Sequence, residues 1–229
     1  MTTQPCLLSG VQRAYDAASM DYDRWTWQSL WRQREFPIVL GALSKAFERP
    51  AILDLGCGTG AFASALLGRF SRFVGWDVSR PMVEIARQRK IDNSRFIEGD
   101  ILRNGFDPET FDAVLLLRAA SHCQDVSRLI SRARLSLQQG GLLILSDVAP
   151  EHHYTETRLP SPTGKLPVPT FKHAPEQVIR LLQHDHGFTL EKVIELRADG
   201  IRAPSGYHCC SIDSSGRIPF GRIFVARAV

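Results

Sequence analysis

Residues 51–61 read Ala51-Ile52-Leu53-Asp54-Leu55-Gly56-Cys57-Gly58-Thr59-Gly60-Ala61. The mostly apolar run Ala51–Leu55 predicts a buried strand, and the spacing of apolar residues after the glycines predicts a helix over Ala61–Phe70. Glycines between a strand and a helix let the backbone approach a ligand closely, and the first N–H groups of the helix are free to bind it. This segment therefore predicts a ligand site at a strand-to-helix junction.

The same alternation of short apolar runs and helical patterns continues along the chain. Further strands are predicted at Phe73–Val78, Arg95–Glu98, Phe111–Leu117, Leu142–Ser146, Glu191–Leu196 and Ile223–Ala228. Helices are predicted after Ser79 as N-cap, over Asp125–Leu137 with an end set by Gly140-Gly141, and over Pro175–His186 before Gly187. Strands that alternate with helices indicate an α/β fold, in which a parallel sheet has helices on both faces.

Two parts of the chain differ from this pattern. Residues 1–50 are predicted to be helical and precede the α/β domain, which we place at residues 51–229. Within that domain, residues 149–174 and 199–220 are predicted to be irregular insertions, the first of them rich in proline. Because long loops inside a compact domain are usually functional, we expect these insertions to lie near a binding site.

Composition limits the function classes. The net charge of +4 is modest, and the longest basic stretch is the short Arg87–Lys90, so no nucleic-acid arm is indicated. No stretch reaches the roughly 18 apolar residues that a membrane span needs, and the first thirty residues lack a secretory signal pattern. The five cysteines are odd in number and form no CxxC pair, which argues against a disulfide framework or zinc site. We expect a cytoplasmic protein without a nucleic-acid or membrane partner.

The glycine-rich segment alone fits two cofactors. Gly56, Gly58 and Ala61 satisfy a dinucleotide fingerprint, and Asp77 lies at a suitable distance to bind a ribose. However, the Asp54 carboxylate would repel a pyrophosphate by about 1 kcal/mol or more, whereas it would attract an ammonium or a sulfonium. Asp100, past the third strand, adds an acceptor for an adenine amino group. The balance favours S-adenosylmethionine, and an NAD(P)-dependent oxidoreductase remains the alternative.

The wider sequence resembles class I S-adenosylmethionine-dependent methyltransferases. Ile52–Gly60 is similar to their first motif and Val74–Met82 to their second. The similarity continues through Gly99-Asp100, Phe111–Val114 and Gly140–Leu143. It implies a Rossmann-like, seven-stranded and mostly parallel sheet with an antiparallel last strand. These motifs are specific for the cofactor and say little about the methyl acceptor.

The resemblance also implies roles for individual residues. Asp54 and the turn would hold the methionine part, Asp77 the ribose, Met82 would pack on the adenine, and Asp100 with Ile101 would bind the adenine edge. Arg118 stands near the methionine part, where the family usually has a smaller residue. The expected cofactor-binding residues are Asp54, Gly56, Cys57, Gly58, Gly60, Asp77, Val78, Met82, Asp100, Ile101 and Arg118.

His122 is the candidate general base, because it follows the fourth strand at the ligand-binding edge and imidazole titrates near neutrality. The alternative is a loop histidine that caps a helix or lines the cofactor pocket. Residues 1–50 resemble the helical lid of small-molecule methyltransferases, whose aromatic walls suit a flat or cationic acceptor; the alternative is that these rings only pack on each other. The expected substrate contacts are Tyr15, Tyr22, Trp25, Trp31, His153 and His208.

No metal is expected, since the possible ligands Asp147, Glu151, His152 and His153 match no familiar ligand spacing. The function that the sequence favours is O- or N-methylation of a small molecule, as in natural-product biosynthesis. An RNA or protein methyltransferase is the main alternative, although Arg118–Ser121 lacks the Asn/Asp-Pro-Pro-aromatic motif of nucleic-acid enzymes and the paired glutamates of protein-arginine enzymes. A cofactor-binding protein without catalysis also remains open.

Overall fold

The computed structural model describes residues 5–103, 110–152, 156–199 and 216–229. Two helices, α1 (Pro5–Tyr22) and α2 (Thr26–Ala46), precede the first strand, β1 (Ala51–Leu55). The elements that follow are α3 (Ala61–Ala65), β2 (Arg72–Asp77), α4 (Arg80–Gln88), β3 (Ser94–Glu98), β4 (Phe111–Leu117), α5 (Val126–Ser136), β5 (Leu137–Val148), β6 (Glu156–Ser161), β7 (Gly164–Pro169), α6 (Pro175–Arg180), β8 (Phe188–Leu196) and β9 (Gly221–Ala228). Among the described residues, no helix is both long and apolar enough to cross a membrane.

Seven strands form one sheet in the order β3-β2-β1-β4-β5-β9-β8. The pairs among the first five strands are parallel, and β9 runs antiparallel to both β5 and β8. The predicted mostly parallel sheet with an antiparallel last strand is thus confirmed. The strand order reverses between β1 and β4, and ligands of such sheets bind in the crevice beyond the carboxyl ends of the strands at this point.

The sheet is buried on both faces. In β4, Leu115 belongs to the core cluster that includes residues of α2, α3 and α4, while Leu116 belongs to the cluster that includes residues of α5. Both side chains are fully buried. Because successive side chains of a strand point to opposite faces, a continuous apolar run such as Phe111–Leu117 needs a helical layer on each side.

The helix predicted over Asp125–Leu137 is confirmed as α5 to within one residue at each end, but the prediction that Gly140-Gly141 sets its end is wrong. Helix α5 ends at Ser136, and β5 begins at Leu137 and runs through both glycines. The pairing of β4 with β5 shifts register in this region. A Cβ on Gly141 would lie 2.9 Å from the carbonyl oxygen of Gln138, so a glycine is required by close backbone approach inside the strand.

The prediction that residues 149–174 are irregular is also wrong in part, because they contain the antiparallel hairpin β6–β7. Its prolines obscured the pattern, yet they fit an isolated two-stranded hairpin whose outer edges need no ladder hydrogen bonds. The hairpin packs on α1, where Leu159 and Val168 share a small apolar core with Val11 and Ala18. Most of the second predicted insertion lies outside the described residues.

Candidate active site

The glycine turn after β1 is tied to β2 by its backbone. The N–H groups of Gly56 and Cys57 both donate to the carbonyl oxygen of Trp76, at 2.7 and 3.0 Å. Gly56 has a φ of +90°, and a Cβ there would lie 2.9 Å from the Cβ of Ala119, just past β4. The turn therefore brings the ends of β1, β2 and β4 together, and glycine is required for the contact.

Asp77 lies at the end of β2 and faces this turn. Its Oδ2 accepts a hydrogen bond from the N–H of Gly58 at 2.8 Å, and its Oδ1 accepts one from the N–H of Ser79 at 2.9 Å. Burial raises the pKa of Asp77 above its usual value, and these two hydrogen bonds oppose the shift. As predicted, Ser79 caps α4, with its hydroxyl accepting from the N–H of Met82.

A cavity with about 810 Å³ of empty space, part of it open to solvent, lies at this edge of the sheet. Three groups of residues line it. The first comes from the glycine turn and the end of β2, the second from the segment after β3, and the third from the segment after β4, and α1 adds residues from above. The predicted site residues on its wall are Tyr15, Tyr22, Gly56, Gly58, Asp77, Val78, Asp100, Ile101, Arg118 and His122. Sequence reasoning missed Val11, Gly99, Leu102, Leu117, Ala119, Cys123 and Leu129.

Four predicted cofactor residues are not part of this wall. Asp54, Cys57, Gly60 and Met82 lie behind it, and the Met82 side chain is fully buried. Cys57 packs where a Cβ on Gly75 would stand, and Gly60 begins α3 against Phe96. These residues shape the turn from behind, so their direct contact with a ligand stays a prediction.

The Asp54 carboxylate is a buried acid with an unused oxygen. The side chain is 2% exposed, and its Oδ1 has no hydrogen-bond partner among the described residues. Burial raises its pKa to about 7, while the neighbouring Arg118 lowers it and the Asp77 and Glu35 carboxylates raise it. A buried carboxylate in this state is costly unless a cationic group satisfies it.

Arg118 forms the centre of a buried polar cluster. No sequence signal indicated its two partners in this cluster, Glu35 and Ser146. Its Nε lies 3.1 Å from Oε2 of Glu35 on α2, a side chain that is fully buried. The hydroxyl of Ser146 on β5 donates to Oε1 of Glu35 at 2.5 Å and accepts from the backbone N–H of Arg118 at 3.0 Å. Although burial opposes the charged guanidinium, Glu35 and nearby anionic groups leave the pKa of Arg118 raised.

A second, smaller chamber adjoins the cavity, with about 410 Å³ of empty space. Most of its wall is aromatic, and it shares Tyr15, Tyr22, Arg118 and His122 with the first cavity. The remaining wall residues are Trp25, Trp27, Trp31, Ser121, Val148, Thr157 and Phe220. The predicted Trp25 and Trp31 are thus brought to it. We refer to these two spaces as the cofactor cavity and the aromatic chamber.

His122 is fixed by a hydrogen bond at each ring nitrogen. Its Nδ1 lies 3.3 Å from the carbonyl oxygen of Pro169 on β7, and its Nε2 lies 2.7 Å from the Tyr15 hydroxyl. Because a carbonyl only accepts, Nδ1 carries the proton and Nε2 accepts from Tyr15. Burial lowers the pKa of His122 to about 4, so the imidazole is neutral near pH 7.

Polar contacts hold α1 and the following turn against the glycine turn. The Ser79 hydroxyl donates to Oδ1 of Asp16 at 2.6 Å, and the Thr59 hydroxyl donates to Oδ1 of Asp23 at 2.7 Å. Arg89 of the α4 C-terminus also pairs with Asp23. The N-terminal helices are therefore anchored beside both chambers rather than packed elsewhere on the sheet.

The predicted contacts His153 and His208 lie outside the described residues. Trp27 and Phe220 were missed although they pack in the wall of the aromatic chamber, where the ring centroids of Trp31 and Phe220 are 5.1 Å apart. Trp27 lies between Trp25 and Trp31 in the sequence, and this grouping of three tryptophans could have indicated it. Within the part of the chain that the structure describes, no group of three potential metal ligands is found.

Comparisons of the chain with known proteins find methyltransferases. A family model described as a methyltransferase domain matches residues 53–145. An uncharacterized methyltransferase of Bacillus subtilis, YcgJ, is 32% identical over 120 residues, or 49% of this chain and 47% of that protein. Demethylmenaquinone methyltransferase of Thermobifida fusca is 28% identical over 123 residues, or 52% of each. The chain spans about half the length of these curated relatives.

The fold has a full-length match among solved structures. The DhpI-SAH complex superposes with a TM-score of 0.73 and 21% identity, covering 99% of this chain and 98% of that one. Residues 53–145 therefore match a methyltransferase domain, and the chain has the fold of the class I S-adenosylmethionine-dependent methyltransferases.

Proposed function

We propose that this protein is an S-adenosylmethionine-dependent methyltransferase that methylates an oxygen or nitrogen of a small molecule. The observation that carries the proposal is the adjacency of the two chambers. The cofactor cavity brings Gly58, Asp77 and Asp100 to one wall, and the aromatic chamber lies beside it and shares Tyr15 and Arg118 with it. Methyl transfer needs little more than such an alignment of donor and acceptor in a space that excludes water.

The residues present fit the cofactor. The unpaired oxygen of Asp54 lies beside the turn and would balance the positive charges of the methionine part. Gly58 has open space where its Cβ would stand, with the nearest atom 3.8 Å away on Tyr22, so a ligand can lie against its backbone. Asp77 would hold the ribose hydroxyls, and Asp100 with Ile101 the adenine. When bound, S-adenosylmethionine supplies an electrophilic methyl group on sulfur.

The small-molecule acceptor is supported by the lining of the aromatic chamber. α1, α2 and the hairpin β6–β7 all contribute residues to its wall, which is concave and mostly aromatic, as the walls of small-ligand pockets usually are. We assign residues 1–50 as a lid over the methyltransferase domain of residues 51–229. The name of the Thermobifida fusca relative, demethylmenaquinone methyltransferase, gives a small-molecule precedent for this class of acceptor.

Tyr15 and His122 form the proton path in this proposal. Because Nε2 of His122 already accepts from the Tyr15 hydroxyl, and because Tyr15 lines both chambers, the Tyr15 oxygen would be the group that meets the acceptor. A proton leaving the acceptor would pass to the Tyr15 oxygen as the Tyr15 proton passes to Nε2. His122 is then a base that acts through Tyr15. Burial, which lowers its pKa to about 4, opposes its protonation, whereas the hydrogen bond from Nδ1–H to the Pro169 carbonyl favours it.

Calorimetric titration with S-adenosylhomocysteine tests the proposed cofactor, with NADH as the control ligand. We expect one-to-one binding that is lost in Asp77→Ala, because this change removes the acceptor for the ribose hydroxyls. Asp92→Ala, at an exposed aspartate, is the matched control variant and should bind like the wild type. Binding of NADH without binding of S-adenosylhomocysteine would replace the proposal with an oxidoreductase.

A further inference from the structure

Arg118 occupies an unusual backbone position between the two chambers. It follows β4 with a φ of +66°, a left-handed conformation that costs a non-glycine residue about 1 kcal/mol. Its side chain lines both the cofactor cavity and the aromatic chamber. Residues held in such strained backbone conformations cluster at functional sites, where the surrounding structure stabilises them.

The guanidinium of Arg118 is held in place, but not all of its N–H groups have a hydrogen-bond acceptor. Glu35 pairs with its Nε, and its carbon Cζ lies 5.2 Å from the ring centroid of Trp31. Its Nε and Nη1 are both buried and make no hydrogen bond among the described residues, so Glu35 holds the guanidinium by charge and Nη1 has no acceptor. A buried N–H of a cation without an acceptor is unfavourable, so the site is complete only when another group accepts from it.

On the side of the aromatic chamber Arg118 has no anionic partner, because its charged neighbours Glu35 and Asp54 are not part of this wall. Arg118 is the one ionised side chain on the described wall of the aromatic chamber, since His122 is neutral. No carboxylate of the protein lines this chamber among the described residues. A planar guanidinium with a free N–H is well suited to donate to the oxygen of a carboxylate.

We infer that Arg118, oriented by Glu35 and Ser146, binds a carboxylate at the junction of the two chambers. The inference rests on the proposed function. Two sources would bring the same chemistry to this point: the methionine carboxylate of the cofactor, or a carboxylate carried by a planar acceptor in the aromatic chamber. In either case Arg118 selects its ligand by charge, and Glu35 is a positioning residue that fixes the guanidinium.

The first arm of the test compares S-adenosylhomocysteine with its decarboxylated analogue by calorimetry. If the cofactor supplies the carboxylate, the wild type binds the analogue about 10- to 100-fold more weakly, the worth of a charge-assisted hydrogen bond. Arg118→Gln should reduce this ratio to near 1. Because that variant leaves Glu35 buried and unpaired, the double variant Glu35→Gln/Arg118→Gln, which removes both charges, provides a second test. Glu35→Gln alone retains Arg118 but no longer fixes the guanidinium, so it should weaken the discrimination without abolishing it.

The second arm uses protein saturated with S-adenosylhomocysteine. If the acceptor supplies the carboxylate, 4-hydroxybenzoate binds at least 10-fold more tightly than 4-hydroxybenzamide, and the double variant loses this difference. A preference for the carboxylate in either arm that depends on Arg118 supports the inference and identifies the source. Equal ratios for wild type and double variant in the first arm, with no preference for the benzoate in the second, overturn it. Absence of any S-adenosylhomocysteine binding would instead refute the proposed function itself.

Discussion

The empty protein should become more stable when Asp54 is replaced by asparagine. Burial and the nearby acids raise the pKa of Asp54 to about 7, from an ordinary value of about 3.9. The folded state holds the proton of Asp54 more tightly than the unfolded state does. The contribution of Asp54 to stability is therefore fully present at pH values below about 3.9, where the carboxyl is neutral in both states, and is lost as the pH rises to about 7. At about 1.4 kcal/mol for each tenfold change in proton affinity, the loss amounts to about 4 kcal/mol.

Asp54→Asn keeps the shape of the side chain and removes the ionisation. We therefore expect the difference in the free energy of unfolding, variant minus wild type, to grow by about 3 kcal/mol between pH 4.5 and pH 8.5, as measured by urea unfolding at each pH. Asp92→Asn, at an exposed aspartate, is the matched control. The same variant should bind S-adenosylhomocysteine more weakly, because it no longer offers a negative charge to the ammonium. A difference that does not change with pH would refute this account of Asp54.

Two further predictions concern the glycine turn and the imidazole. Gly56→Ala should lower the free energy of unfolding by more than about 2 kcal/mol, because φ is +90° and the added Cβ meets Ala119. Gly58→Ala should lower it by only about 1 kcal/mol, because its added Cβ meets no atom at clashing distance. Equal losses of the two variants in urea unfolding would contradict this difference. Nitrogen NMR should show His122 titrating with a midpoint near 4, and Tyr15→Phe should raise that midpoint, because it removes the donor to the neutral ring. A wild-type midpoint near 6.5 would rule out the neutral imidazole.

The sheet could be predicted from the sequence because its signals are local. The five residues of β1 predict the strand, and the glycines directly after them predict the turn that follows it. Where the prediction was wrong, a tertiary contact overrode a local signal. Gly140-Gly141 resembles a helix end, yet Gly141 allows close backbone approach within β5. The hairpin β6–β7 was missed because proline, usually absent from strands, is tolerated in an isolated pair.

The candidate site could be predicted only where a motif marks it. Asp77 and Asp100 line the cofactor cavity, because their places at the end of β2 and just after β3 put them at the same edge of the sheet; their contact with a ligand stays a prediction. Glu35 could not be identified from sequence, since nothing around it in α2 distinguishes a buried acid from an exposed one. Its importance comes from Arg118, which is distant in sequence and is brought close by the fold. The aromatic chamber likewise combines residues from α1, α2, the hairpin and the segment before β9.

The most direct test of the central claim is a crystal structure of the protein grown with saturating S-adenosylhomocysteine. The account predicts the ligand in the cofactor cavity, with the ribose hydroxyls on Asp77, the adenine edge at Asp100 and the sulfur directed toward the aromatic chamber near Tyr15. Ligand bound elsewhere, or bound with its sulfur facing away from the aromatic chamber, would contradict the assignment of this protein as a small-molecule methyltransferase.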